Sequence, residues 1–151
     1  MTLALTVGAV GFHLQRNATW RRLNDNNTLA FLSEAGATVR AHTQPQDLVL
    51  VDEPVVAFVA GRRVPPRLAM ITRKRIATGH LIAADLIAAL KQYSPAVIVL
   101  CTGKFRPMTE FIEVLRRNYE PITTLRGETE FAHTPTACNI LRRAQSRTAE
   151  R

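Results

Sequence analysis

Two short runs of consecutive apolar, mostly β-branched residues constrain this chain more than anything else in it. They are Leu48-Val49-Leu50-Val51 and Ala96-Val97-Ile98-Val99-Leu100-Cys101. A strand with one wet face alternates apolar and polar residues, whereas a run without a polar position suits a strand covered on both faces. Helical spacing surrounds both runs. Leu29, Phe31, Leu32, Ala35 and Val39 predict a helix ending near Arg40. Pro54 is placed to open a helix through Ala60, which Gly61 closes. Ala83–Tyr93 and Met108–Asn118 place Leu86, Ile87 and Leu90, then Phe111, Ile112 and Leu115, on single helical faces. Near the end, Ile122–Leu125 and Thr129–Ala132 flank Arg126-Gly127-Glu128 in the manner of a hairpin.

Strands alternating with helices predict an α/β domain. The expected form is a small three-layer sheet, mostly parallel, with an antiparallel edge hairpin and the two apolar runs adjacent at its centre. Residues 23–133 are expected to form this domain. The polar, arginine-rich stretch 134–151 is expected as a basic tail. Residues 1–22 hold a different kind of sequence. Thr2–Leu14 is apolar apart from Thr2, Thr6 and His13, too short to span a bilayer alone, and its charges (Arg16, Arg21 and Arg22) come after it rather than before. This is the pattern expected of the remnant of a transmembrane or membrane-proximal helix; an amphipathic or core helix of the soluble fold is the alternative.

The chain has 20 lysines and arginines against 12 acidic residues, a net charge of +8. Such a balance fits nucleic acid, an anionic membrane surface or a phosphate-bearing ligand, and equally a solvated basic surface. Around Arg62, Arg63, Arg67, Arg73, Lys74 and Arg75 aromatic residues are sparse, which argues against single-stranded nucleic acid. Two cysteines are too few for a disulfide framework; Cys101 reads as a small buried hydrophobe, and a Cys101–Cys138 bridge is left open. His13, His42, His80 and His133 show no metal-ligand spacing with them, so no metal is expected.

In parallel sheets ligands bind beyond the C-terminal ends of the strands. Asp52-Glu53-Pro54 and Thr102–Arg106 follow the two apolar runs, so Asp52, Glu53, Arg62, Lys104 and Arg106 are the candidate ligand-binding residues. Arg62 joins them only if the short helix after Pro54 lets the chain return to that edge. The competing role for Asp52 is structural, as a partner of Arg62 that pins the Pro65-Pro66 loop. Gly103-Lys104 lacks the rest of a phosphate loop: Ile98 stands where its first glycine belongs and Phe105 where it needs serine or threonine. No nucleophile elbow and no dinucleotide fingerprint is present, so no cofactor and no catalytic residue are assigned.

Between residues 47 and 119 a longer pattern emerges. Asp47-Leu48-Val49-Leu50-Val51-Asp52-Glu53-Pro54 leads to Ala57-Phe58-Val59-Ala60-Gly61-Arg62 and Val64-Pro65-Pro66. Arg75-Ile76, Gly79-His80-Leu81, Pro95–Leu100, Gly103-Lys104-Phe105 and Tyr119 follow. This order resembles the C-terminal soluble domain of polyprenyl-phosphate-sugar-dependent membrane glycosyltransferases, the class of protein O-mannosyltransferases and lipid A aminoarabinose transferases. The resemblance covers about half the chain. It implies an accessory extracytoplasmic domain, or a fragment, of a membrane enzyme, with the membrane-embedded part and a lipid-linked sugar phosphate as partners. The family's catalytic carboxylates lie in an N-terminal loop with no counterpart here, so the resemblance carries no catalytic residue over. Arg16, Arg21 and Arg22 would by themselves suggest the cytoplasmic side; the family places this domain outside. A stand-alone α/β module that binds a phosphorylated small molecule is the alternative function.

Overall fold

A computed structural model describes residues 26–129 and 134–144. Residues 1–22, with the expected membrane-helix remnant, lie outside the described part. Among the described residues no helix is long and apolar enough to cross a membrane.

The chain alternates helices with strands. Helix α1 (Asn26–Ala41) precedes β1 (Val49–Val51), α2 (Pro54–Ala60), α3 (Arg73–Ala77) and α4 (Ala83–Tyr93). Strand β2 (Val97–Leu100) leads to α5 (Thr109–Asn118), β3 (Tyr119–Thr129) and β4 (Thr134–Arg143). The fold is therefore α/β, built on one four-stranded mixed sheet in the order β1-β2-β4-β3.

The two apolar runs are neighbouring parallel strands, with Val49 beside Val97 and Val51 beside Val99. All three residues of β1 are buried, as are Val97, Ile98 and Val99. Alternation explains why neither strand has a polar position. Val49, Val51, Val97 and Val99 pack with Ala35 and Val39 of α1 and Val56 and Ala60 of α2. Leu50 and Ile98 point the other way, into a second cluster with Leu86 and Leu90 of α4 and Phe111 and Leu115 of α5. Each strand thus feeds two apolar clusters, and a polar residue at any of these positions would lose its water without a partner.

Four expectations are corrected. The sheet is not mostly parallel, because β2 pairs antiparallel with β4, and β4 pairs antiparallel with β3. Strand β1 is not central either: it closes one side of the sheet. Its outer side is partly covered, since the Val49 amide donates to the Arg63 carbonyl at 2.9 Å beside a parallel bridge between Leu48 and Arg63. Burial on both faces was legible from β1, but the number of its neighbours was not.

The third correction concerns the tail. Residues 134–143 form β4, which lies between β2 and β3. Cys138 and Ile140 alternate into the first cluster while Ala137 and Asn139 face water. The arginines that suggested a tail stand at the strand's end, where Arg142 pairs with its cross-strand neighbour Glu120 at 2.7 Å. The hairpin expected around Arg126-Gly127-Glu128 is displaced as well, because β3 runs straight through these residues. Gly127 is needed there for space: a β-carbon would collide with the Phe31 ring of α1. A bulge at Ile122 sets the register of this long pair, between Pro121 opposite Leu141 and Thr123 opposite Ile140.

The helix signals hold where they were strongest. Pro54 is the first residue of α2, and Gly61 ends it in the left-handed region at φ 64°. The amides of Gly61 and Arg62 return to the carbonyls of Phe58 and Ala57, which satisfies acceptors left over at the helix end.

Tyr119, where α5 passes into β3, is buried and donates its hydroxyl to the Pro95 carbonyl at 3.0 Å. Burial pushes its pKa above the ordinary tyrosine value, against a smaller opposing effect of Arg143. A raised folded-state pKa means that the unfolded chain releases this proton first. The stabilisation is complete below about pH 10 and is lost as pH rises through the folded-state value. Tyr119→Phe is expected to cost about 1 kcal/mol at neutral pH through the lost hydrogen bond. Denaturant titrations should then show a shallower loss of stability above pH 10 than in the parent chain; identical alkaline slopes would contradict the assignment.

Candidate functional site

The C-terminal ends of β1 and β2 lie side by side, and Asp52 bridges them. Its carboxylate is fully buried. Oδ1 accepts the Cys101 amide at 2.8 Å, while Oδ2 accepts the Thr102 amide at 2.8 Å and the Thr102 hydroxyl at 2.6 Å. The backbone continues the connection, with the Asp52 amide donating to the Val99 carbonyl at 3.2 Å. A side chain extending a parallel ladder by three donors does the work of another strand residue, at the point where both strands turn away.

Lys104 closes over the same corner. Its ammonium donates to the Asp52 carbonyl at 2.7 Å and stands 3.8 Å from the Glu53 carboxylate. Gly103 makes the turn at φ 66°, and the exposed Arg106 side chain folds back against it, so that a β-carbon at Gly103 would lie 3.1 Å from Arg106 Nε. Asp52, Glu53, Lys104 and Arg106 therefore meet at one corner of the sheet, as the strand-end argument expects.

Arg62 does not join them. Its guanidinium fans out at the other end of β1, donating to Thr43 Oγ1 at 2.8 Å and to the Thr43 and Ala60 carbonyls at 2.9 and 3.1 Å. Arg40 reaches the same place from α1 and donates to the Val59 and Ala60 carbonyls. These two arginines cap the ends of α1 and α2, where unpaired carbonyls gather. The capping amide of Arg62 explains the geometry: it completes the end of α2, so the chain is already at the far end of the sheet. The suggested Asp52–Arg62 pair is absent for the same reason, and Asp52 is held by β2 instead.

Two components of the corner were not placed there by the sequence, which left the Cys101–Cys138 bridge open and put Arg73 in a separate basic cluster. Arg73 of α3 donates to the Thr102 carbonyl at 3.2 Å, which brings one residue of the basic cluster to the candidate edge. Cys101 and Cys138 form a disulfide between β2 and β4, with Cα atoms 3.9 Å apart. It continues the register that sets Leu100 opposite Asn139. Nothing in the spacing of the two cysteines revealed this pairing, which becomes visible only once β4 is known to lie beside β2.

At the opposite end of the strands an open cleft of about 600 Å³ is lined by Asp47, Tyr93, Ser94, Arg142 and Arg143, among others. Arg142 is occupied by Glu120, and Arg143 approaches the Pro95 carbonyl at 3.4 Å. Among the described residues no cluster of three or more histidine, cysteine or acidic side chains is arranged to hold a metal ion. At the Asp52 corner every carboxylate oxygen of Asp52 is already used by donors of the fold. The groups that face water there are those of Arg73 and Arg106, with Thr102, Glu53 and Lys104 half-buried beneath them.

Comparison of the chain with protein-family models, with curated proteins and with solved structures found no match.

Two outcomes follow from this geometry. Asp52→Ala leaves buried amides without acceptors and is expected to cost roughly 3–5 kcal/mol; Asp52→Asn, which keeps one acceptor oxygen, should cost about 1–2 kcal/mol. Urea midpoints measure both. A stable Asp52→Ala protein would instead make Asp52 a residue kept for a ligand. Cys101→Ser/Cys138→Ser removes a bridge spanning a sequence separation of 37 residues. The chain-entropy argument puts its stabilisation at roughly 4 kcal/mol, to be read as the difference in unfolding free energy with and without reductant.

Proposed function

We propose that this chain is an accessory domain, or a fragment, of a membrane glycosyltransferase that moves a sugar from a polyprenyl-phosphate donor, and that it performs none of the chemistry itself. What carries this reading is the work done by the residues of the resembling pattern. Asp52 ties two strand ends, Pro54 opens α2, Gly61 caps it, Arg62 binds two helix ends together and Gly103 makes the turn before α5. A pattern composed of fold-forming residues marks a scaffold, and a scaffold is what the non-catalytic part of a transferase needs to supply.

The proposed location is the extracytoplasmic side of a membrane. The disulfide supports it, because such bonds persist mainly in oxidising compartments. In this reading the two helix groups form the outer layers of a three-layer domain. The Asp52 corner faces the membrane-embedded part, where Arg73 and Arg106 meet the phosphate of the lipid-linked sugar.

The purified chain is expected to show no turnover of a polyprenyl-phosphate sugar, measured as release of labelled sugar to water or acceptor. Sustained turnover would end the proposal. Backbone amide shifts during titration with a short-chain polyprenyl phosphate should concentrate at residues 102–106 and at Arg73. The cleft beside Arg142 and Arg143 favours a second reading, a stand-alone module for a phosphorylated small molecule. Shifts confined to residues 46–48, 93–96 and 142–144 on addition of a soluble sugar phosphate would decide for it.

A further inference from the structure

Residues 54–84 contain six arginines and lysines and no aspartate or glutamate. The three large apolar side chains most exposed among the described residues, Phe58, Met70 and Ile82, lie in this same stretch at 86, 65 and 49% exposure. Phe58 stands on α2, which packs with the first apolar cluster. Met70 and Ile82 belong instead to the excursion between α2 and α4, which is anchored by Leu68, Ile71 and Leu81 in the second cluster.

Arg75 draws these two together. Its guanidinium donates to the Met70 carbonyl at 2.6 Å and the Arg67 carbonyl at 3.2 Å, while its own carbonyl accepts the Leu81 amide at 3.1 Å. Arg75 therefore ties the backbone at Met70 to the backbone at Leu81, the residue before Ile82. Arg67, Arg73 and Lys74 are exposed around them, and no acid within the segment neutralises them.

A single exposed apolar residue needs no explanation. Two of them, fixed by an internal arginine within a segment of one charge sign, do. A soluble anion would use the cations and leave Met70 and Ile82 without a role. Single-stranded nucleic acid would stack its bases on aromatic rings, and residues 67–82 contain no Phe, Tyr or Trp. A bilayer surface takes both chemistries, with apolar tips at the acyl boundary and cations at the headgroup phosphates.

We propose that the face made by Arg67, Met70, Arg73, Lys74 and Ile82 rests on an anionic bilayer surface. It depends on the transferase reading only for a bilayer being close at hand, and it names the side of the domain turned towards that bilayer. Arg73 joins this face to the Asp52 corner through its bond to Thr102.

The test is co-sedimentation of the full chain with phosphatidylcholine vesicles containing or lacking phosphatidylglycerol. Binding is expected with the anionic vesicles and should weaken with added salt. Arg67→Gln/Lys74→Gln should reduce partitioning about 25-fold, which is about fivefold or 1 kcal/mol for each cation. Met70→Ser/Ile82→Ser should reduce it about tenfold through lost apolar contact. Residues 2–14 are identical in all three proteins, so a difference between them reports on the substituted face. Hydrogen exchange on the parent chain gives an independent reading: vesicles should slow the amides of residues 67–82 and leave β4 unaffected. Parent-like partitioning of both variants, or protection elsewhere only, overturns the proposal. So does tight binding to single-stranded RNA that Arg67→Gln/Lys74→Gln weakens and Met70→Ser/Ile82→Ser does not, since nucleic acid would then be the partner. None of these outcomes bears on turnover, so the transferase reading stands or falls separately.

Discussion

The buried Asp52 carboxylate is the constraint on which the strand-end architecture depends. Strands β1 and β2 are short, and a parallel pair of this length gains little from its own ladder. Asp52 lengthens it by accepting three donors from the first two residues beyond β2. The disulfide begins at one of those residues, Cys101, and fastens β2 to β4. Two different devices, a charge-assisted hydrogen-bond cluster and a covalent bridge, thus join three strands at one corner. Burial of a carboxylate is tolerated here because both oxygens are satisfied.

At the far end of β1 the corresponding task falls to arginine. Helices α1 and α2 finish there, and their last carbonyls would be left without donors as the chain turns back. Arg40 and Arg62 supply several donors each from planar groups, which suits them to collecting carbonyls that a lysine would serve one at a time. The basic character of the chain therefore divides into two populations. Arg40, Arg62 and Arg75 fasten backbone carbonyls of the fold, whereas Arg67, Lys74 and Arg106 are exposed. Net charge alone could not separate them, because it counts both alike.

This division bears on function. Groups whose hydrogen-bonding capacity the fold already fills are poor candidates for recognising a ligand, since binding would first have to break the contacts they make. Asp52 and Arg62 fall in that class. Recognition is left to what faces water, namely Arg106 and Arg73 at the corner, the latter with one bond to the Thr102 carbonyl and the rest of its guanidinium exposed, and the Met70–Ile82 face beside it. The transferase reading and the membrane-contact reading both draw on this exposed set, but they ask it for different contacts.

The sequence by itself determined the buried strands and the helices with strong punctuation. Leu48–Val51 and Ala96–Leu100 admit few other readings because they have no polar position to turn outwards, and Pro54, Gly61 and Pro95 mark element ends through local backbone geometry. It also indicated that Asp52 and Lys104 would meet, since the ends of parallel neighbours share an edge. Tertiary structure decided the rest. Arg126-Gly127-Glu128 looked like a turn because glycine breaks strands locally, and only the Phe31 ring of α1 shows that this glycine makes room within one. The arginines near the end resembled a tail until Glu120 lay across from Arg142 and β4 took its place beside β2. That insertion made the sheet mixed, moved β1 to the rim and brought Cys138 to Cys101. Each of these turns on contacts between segments distant in sequence, and such contacts leave no periodic mark on the residues that make them.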